Sequence, residues 1–237
     1  MSKLIEKVFI SGKIIAVTGL HIGGSKTALD IGGVDLNVIK TAQGLPFIPG
    51  SSLKGKLRTI LAREYGSTDV KKDPHIIKEI FGHANDKNDK ESSSNNEEKG
   101  IPARLIVRDA FLEKDHFNNT FSDLELEYTE VKWENTINRV TGTAEHPRQL
   151  ERVPAGAMFS FSLIYNVFDD GEKEKHLKEI IKTMKILEDD YLGGQGSRGY
   201  GQIKFLNNDV DKVSIEFKTI DDYKEDRPRQ PETSVTF

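Results

Sequence analysis

Apolar positions along the chain fall into two periods. Residues 3–17 are rich in Ile, Val and Phe and predict a strand. Leu53, Leu57, Ile60, Leu61 and Tyr65 recur at helical spacing, with Pro49-Gly50 halting the preceding segment and Ser51 and Ser52 where an N-cap belongs. A short second helix is expected over His75–Phe81. Leu105, Val107 and Ala110-Phe111 mark another strand. Met158 to Val167 alternates, with Met158, Ser160 and Ser162 on one face and Phe159, Phe161, Leu163, Tyr165 and Val167 on the other. Leu177, Ile180, Ile181, Met184, Leu187 and Tyr191 define a second amphipathic helix, which Gly193 and Gly194 end. Strands near Gly201–Phe205 and Val213–Phe217 close the pattern. The order strand, helix, strand, strand, helix, strand predicts an α+β fold with a ferredoxin-like, RRM-like βαββαβ core.

Long insertions interrupt that core. Residues 18–50 are dominated by Gly, Pro and isolated polar groups and predict an irregular segment with short strands near Val38 and Phe47. Residues 83–100 hold no aliphatic residue larger than Ala84 and predict a flexible insert. Residues 124–153 mix strand signals with Thr141-Gly142 and Pro147, as a projecting hairpin does. One domain over residues 1–220 is expected, followed by a polar tail at 221–237.

Charge changes this picture locally. The net charge is −4, but the insert and the tail each carry five acids against three bases, so the rest of the chain balances. The helix after Pro49 holds Lys54, Lys56, Arg58 and Arg63 against Glu64 alone. There are no cysteines, which excludes disulfides, thiolate nucleophiles and Cys-based zinc sites. No apolar run approaches a membrane span, so no membrane partner is expected and the cytoplasm is the default location.

Four stretches could carry chemistry. Ser51, Ser52, Lys54, Lys56 and Arg58 surround a helix start, a place where phosphates bind readily; an ordinary capped helix with surface cations reads equally well. Gly194, Gly196, Arg198 and Gly199 lie in a run with five glycines in nine residues that a polyanion can approach closely, with Tyr200 available to stack on a base; a flexible turn is the alternative. His21, Gly23, Gly24 and Asp35 lie on Gly-rich loop segments, where a His and an Asp can handle protons, although loop Asp residues usually cap turns. Lys132, Asn135, Arg139, Thr141 and Arg148 recur with the single Trp, Trp133, along the hairpin. Arg108-Asp109 reads as a structural ion pair on a strand, with a substrate contact as the less favoured alternative.

Taken in order, TGLHIGG (18–24), GGVDLNVIK (32–40), LPFIPGSSLKGKLR (45–58), RLIVRDAF (104–111), EVKWENTINRVTGTAEHPRQLERVPAGA (130–157) and LGGQGSRGYGQI (192–203) resemble the repeated backbone subunit of the type III-A CRISPR Csm complex. That subunit is a RAMP-superfamily protein. The resemblance covers about residues 8–206 apart from the insert. It implies a guide-CRISPR-RNA-binding palm, self-association into a filament with other Csm subunits, and a thumb hairpin that displaces bases of the guide–target duplex. It also implies cleavage of target RNA at regular intervals with a divalent metal, Mg2+ in the first instance, and an essential acid at Asp35, which is also the one candidate metal ligand. His21 is then an RNA-binding or site-supporting residue. A non-catalytic guide-binding scaffold and a standalone guide-processing RAMP nuclease are the alternatives.

Overall fold

The computed structural model describes residues 2–24, 36–84, 100–122, 124, 126–206 and 213–237. Strand β1 spans Leu4–Ala16, β2 Phe47–Ile48, β3 Leu105–Val107, β4 Ala110–Leu112, β5 Glu130–Ile137, β6 Ala144–Arg152, β7 Met158–Phe168, β8 Ile203–Leu206, β9 Ser214–Thr219 and β10 Gln230–Pro231. Helix α1 spans Gly50–Glu64, α2 His75–Phe81, α3 Lys114–Thr120, α4 Lys173–Glu188 and α5 Ile220–Lys224.

Eight strands form one antiparallel sheet in the order β10-β9-β1-β7-β4-β2, with β3 also pairing β7 and β8 also pairing β1. Strands β5 and β6 form a separate two-stranded hairpin. The pleat sends Val8, Ile10 and Ile14 of β1 and Phe159, Phe161, Leu163 and Tyr165 of β7 to one face. Leu53, Leu57 and Leu61 of α1 and Leu177, Ile181, Met184 and Leu187 of α4 cover that face and complete the core. The period-2 and period-3.6 patterns of the sequence therefore meet in one interface. Truncating a fully buried leucine there, such as Leu57, costs about 2–5 kcal/mol.

Several details depart from expectation. Helix α1 starts one residue before Ser51: Pro49 is its N-cap, no side chain caps it from within, and Ser51 and Ser52 occupy the first turn. Helix α4 ends at Glu188, before Tyr191, and residues 189–195 run on irregularly. The polar tail is part of the fold. Thr219 and Asp222 make a capping box on α5, β10 pairs β9, Val235 is buried, and the Phe237 ring packs edge-on to Phe205 at 5.9 Å. Lys173 Nζ ties the tail down between Glu232 (2.5 Å) and Glu6 (2.6 Å). The insert is pinched at its neck by a bridge between His83 and Ile101, and residues 85–99 lie outside the described residues.

Candidate nucleic-acid interface

Four separated segments converge at the base of the β5–β6 hairpin. Leu20 exchanges backbone hydrogen bonds with Val153 at 2.9 and 2.8 Å. The Gly194 amide donates to the His21 carbonyl (2.8 Å), and the Gly201 amide donates to that of Gly19 (3.0 Å). Gly24 and Ile39 donate to Asn37 and Ile22, which pairs the TGLHIGG loop with segment 36–40. The Glu151 amide donates to the Leu36 carbonyl at 3.1 Å. Glycine is required where these backbones touch. Gly193 has φ +81° and Gly201 φ +75°, and a Cβ would strike the His21 carbonyl oxygen at the first and the Leu192 carbonyl oxygen at the second.

Glu151 holds this junction from inside. It is 4% exposed. Its carboxylate accepts from the Val38 amide (2.8 Å) and the Thr129 hydroxyl (2.7 Å), and pairs with Lys40 Nζ at 2.5 Å. Burial alone would raise its carboxyl; the bonds from Lys40, Thr129 and Val38 hold it below the ordinary glutamate value instead. Its carbonyl lies 2.7 Å from His21 Nδ1. His21 is itself buried, so its imidazole sits between the glycine loop and the hairpin base. Gly23 is exposed beside it, and Gly24 is half-buried. Asp35 lies outside the described residues. Its chain neighbour Leu36 is the residue bonded to Glu151.

A second cluster fixes the hairpin to the Gly-rich loop. Tyr200 is buried, with its hydroxyl donating to Glu134 Oε1 (2.8 Å). Lys132 Nζ lies 4.4 Å and the Arg152 guanidinium 5.1 Å from its ring centroid. Burial, then the Glu134 bond, push the Tyr200 hydroxyl up to about 12. The expected base-stacking role of Tyr200 is therefore corrected: the ring packs internally, while Arg198 beside it is exposed and reaches Gln195 Oε1 at 2.7 Å and Glu134 at 3.6 Å. Gly199 is exposed, and Gly194 and Gly196 are half-buried.

Along α1 the cations separate into two sets. Arg58 is directed inward, bonded to Asp73 (2.7 and 2.9 Å) and to the Gly82 carbonyl (3.1 Å). Lys56 pairs with Asp190 at 2.9 Å and lies over the Tyr191 ring at 3.7 Å. Lys54 is half-buried and has no anionic partner among the described residues; burial first, then the Arg58 charge, lower its ammonium pKa. Ser51 is exposed and Ser52 half-buried in the same first turn. Asp109 does not pair with Arg108 on a strand, as expected from sequence. It lies in the break between β3 and β4, and its carboxylate accepts from the Gly50 amide at 2.7 Å.

The hairpin carries Asn135, Arg139, Thr141 and Arg148 exposed, with Lys132 half-buried against Tyr200. Its outer strand face shows Trp133 (60% exposed) and Ile137 (59%), and Val140 at the tip is 94% exposed. The tip is nevertheless ordered by bonds: the Asn138 side-chain oxygen accepts from the Val140 and Thr141 amides. Sequence patterning missed Glu151 and Glu134 as the polar hubs. Only the parity that Glu151 shares with the apolar Val153 hints at its burial.

The exposed Gly23, Gly199 and Arg198 and the Lys54 cation on α1 leave room and charge for a polyanion near the backbone, while Gly193 and Gly201 serve the packing of the loops on one another. The chain belongs to the RAMP superfamily, whose model matches residues 13–204. Within it, the similarity runs to Csm3 proteins. The chain is 45% identical over 212 residues to the CRISPR system Cms endoribonuclease Csm3 of Methanocaldococcus jannaschii, covering 84% of this chain and 78% of that one. It is 44% identical over 205 residues to the protein of the same name from Streptococcus thermophilus, covering 84% and 87%. Among solved structures, the Csm3–Csm4 subcomplex of the type III-A CRISPR-Cas interference complex matches with a TM-score of 0.56 at 29% identity, over 98% of this chain and 91% of that one. The Methanopyrus kandleri Csm3 crystal structure shares the fold, with a TM-score of 0.60 at 21% identity over 94% and 80%.

Proposed function

We propose that this chain is the repeated, RNA-cutting subunit of a type III-A CRISPR effector: it holds guide RNA, meets target RNA on the guide, and cleaves the target beside each copy. The supporting observation is the junction at the hairpin base, where the segment following Asp35, the TGLHIGG loop, the Gly-rich loop and the hairpin are bonded into one unit. The ferredoxin-like reading of the palm rests on strand order: β9, β1, β7 and β3/β4 stand in the 4-1-3-2 arrangement that a βαββαβ chain makes. The β5–β6 hairpin then serves as the thumb. Guide sequence reads the target by base pairing, so the protein needs only shape and phosphate contacts, which glycine loops, Ser51, Ser52, Lys54 and Arg198 are suited to make.

The reaction follows from RNA chemistry. The ribose 2′-hydroxyl attacks the adjacent phosphorus, the bond from phosphorus to the 5′-oxygen breaks, and a 2′,3′-cyclic phosphate and a 5′-hydroxyl result. Asp35 orients the attacking hydroxyl or takes its proton, directly or through a bound metal, and water supplies the proton that the leaving 5′-oxygen gains. A thumb that unstacks one nucleotide aligns the attacking and leaving oxygens in line, the near-attack geometry that the reaction needs. Among the described residues no group of three or more His, Cys, Asp or Glu side chains could hold a metal. Mg2+ generally takes one or two carboxylates with substrate phosphates, a donor set that Asp35 and the RNA would supply. When bound, the ion neutralises charge on the scissile phosphate.

The test is target cutting by the assembled complex carrying Asp35→Ala. Cutting should vanish while guide and target remain bound. Retained cutting by that complex removes Asp35 from the mechanism. EDTA should also stop the wild-type reaction.

A further inference from the structure

The rim of the sheet next to α1 carries a group of side chains that the reading above does not use. Phe111 is 55% exposed and Ile106 is 42% exposed. Both lie on the sheet face opposite the helices, Phe111 across from Ser160 and Ile106 across from Ile164. The Phe47 ring of β2 stacks on Phe111, with centroids 6.1 Å apart and an interplanar angle of 27°. Arg108 lies between Ile106 and Phe111 in the chain and is exposed, and its backbone amide donates to Ser162 at 3.1 Å. Its guanidinium has no hydrogen-bond or ion-pair partner among the described residues.

The nearby carboxylates are already engaged. Asp109 accepts from the Gly50 amide, and Glu113 is bonded to Lys13 (2.5 Å) and to Ser160. Those bonds hold Glu113 below its ordinary pKa, with Lys13 the largest cause. Lys7 on the same face bonds only the neutral Asn166 among the described residues, at 2.5 Å. An exposed aromatic ring, backed by a second ring and flanked by an uncompensated guanidinium, suits an unpaired base and its phosphate. An apolar protein partner would leave the Arg108 charge buried without a counter-ion. The patch also adjoins the first turn of α1, proposed above to meet phosphate, because the Gly50 backbone there rests against the Val107 carbonyl and Arg108.

We infer that Arg108 and Phe111 form a single-stranded RNA contact that continues the strand's path from the first turn of α1 onto the sheet rim, with one base stacked on Phe111 and one phosphate on Arg108. This rests on the RNA-binding function proposed above. The experiment is fluorescence anisotropy of the purified full chain with a labelled single-stranded 30-nucleotide RNA, at two salt concentrations. Phe111→Ala should weaken binding about 5- to 100-fold, the loss typical of one stacked base, and Phe111→Trp should restore it. Arg108→Ala should weaken binding and flatten the salt dependence. RNA containing 5-iodouridine should photo-crosslink to Phe111, located by mass spectrometry. Both side chains are exposed, so the variants should melt with the wild type. If wild type binds and both alanine variants bind equally well, this contact is refuted and the proposed function is untouched. If they bind equally well and instead lose self-association, the patch is a protein contact and the inference fails. If wild type binds no RNA at all, the underlying reading fails with it.

Discussion

Replacing Glu151 by glutamine removes one charge and little volume, and leaves a buried arrangement of three donors facing one acceptor oxygen. In the native protein the carboxylate receives Thr129, Lys40 and the Val38 amide. A glutamine side chain can accept at one oxygen only, and its amide nitrogen must then point at a donor. Breaking a fully buried ion pair costs about 3–5 kcal/mol. The Lys40 side chain is 31% exposed and recovers part of its hydration, which brings the expected loss to about 2–3 kcal/mol. At roughly 2–4 °C per kcal/mol for a chain of this size, E151Q should melt about 4–12 °C below wild type. The same pair has a pH signature. The carboxyl is depressed in the folded state, so its contribution is complete above the unfolded glutamate value and is lost as pH falls through the folded one. E151Q should therefore lose part of the acid limb of the wild-type stability curve below about pH 4.5. Calorimetry of wild type, E151Q, Lys40→Met and the double variant measures the coupling. Additive losses, or a variant melting within a degree of wild type, would refute the account of the junction.

Other outcomes follow from single positions. His176 is fully buried against the Tyr165 hydroxyl (Nδ1 at 2.7 Å), and burial lowers its pKa. The unfolded chain therefore binds the proton first, and urea midpoints should fall as pH drops below about 6.5, a slope that His176→Gln should flatten. Gly193→Ala must hold a Cβ at positive φ against the His21 carbonyl, so it should lose more than the roughly 1–2 kcal/mol of the backbone strain alone, read as a lower melting temperature together with weaker RNA binding. Lys54→Ala should reduce the slope of log affinity against log salt by about 0.7–1, while Lys56→Ala, whose charge is spent on Asp190, should change stability more than the slope.

The parts of the fold that repeat were readable from residue types. Alternation in Met158–Val167 and the helical spacing from Leu53 to Leu61 set the burial of β7 and α1 directly, because each pattern has one face to hide. Polar positions were less legible, since their roles depend on partners far away in the chain. Lys54, Lys56 and Arg58 look alike in sequence, yet only the distant Asp190 and Asp73 decide which two turn inward. Tyr200 reads as a stacking residue inside a glycine run, until Glu134, Lys132 and Arg152 from the hairpin enclose it. Ser51 suits an N-cap, but Asp109, separated from Gly50 by 59 positions, satisfies the helix start instead. The C-terminal residues read as a polar tail because Val235 and Phe237 stand singly among polar neighbours, with no period to betray them.

The rim of the sheet has a consequence for how one molecule can adjoin the next. The outermost strands β2 and β10 are two residues long, β3 has three and β8 four, and the six-residue β9 is partly shielded by β10 from the same chain. Such short, self-covered borders give a neighbour almost no free main-chain groups to extend. Copies lined up side by side, as the proposed filament requires, would then have to touch through side chains and loops in place of a continued sheet.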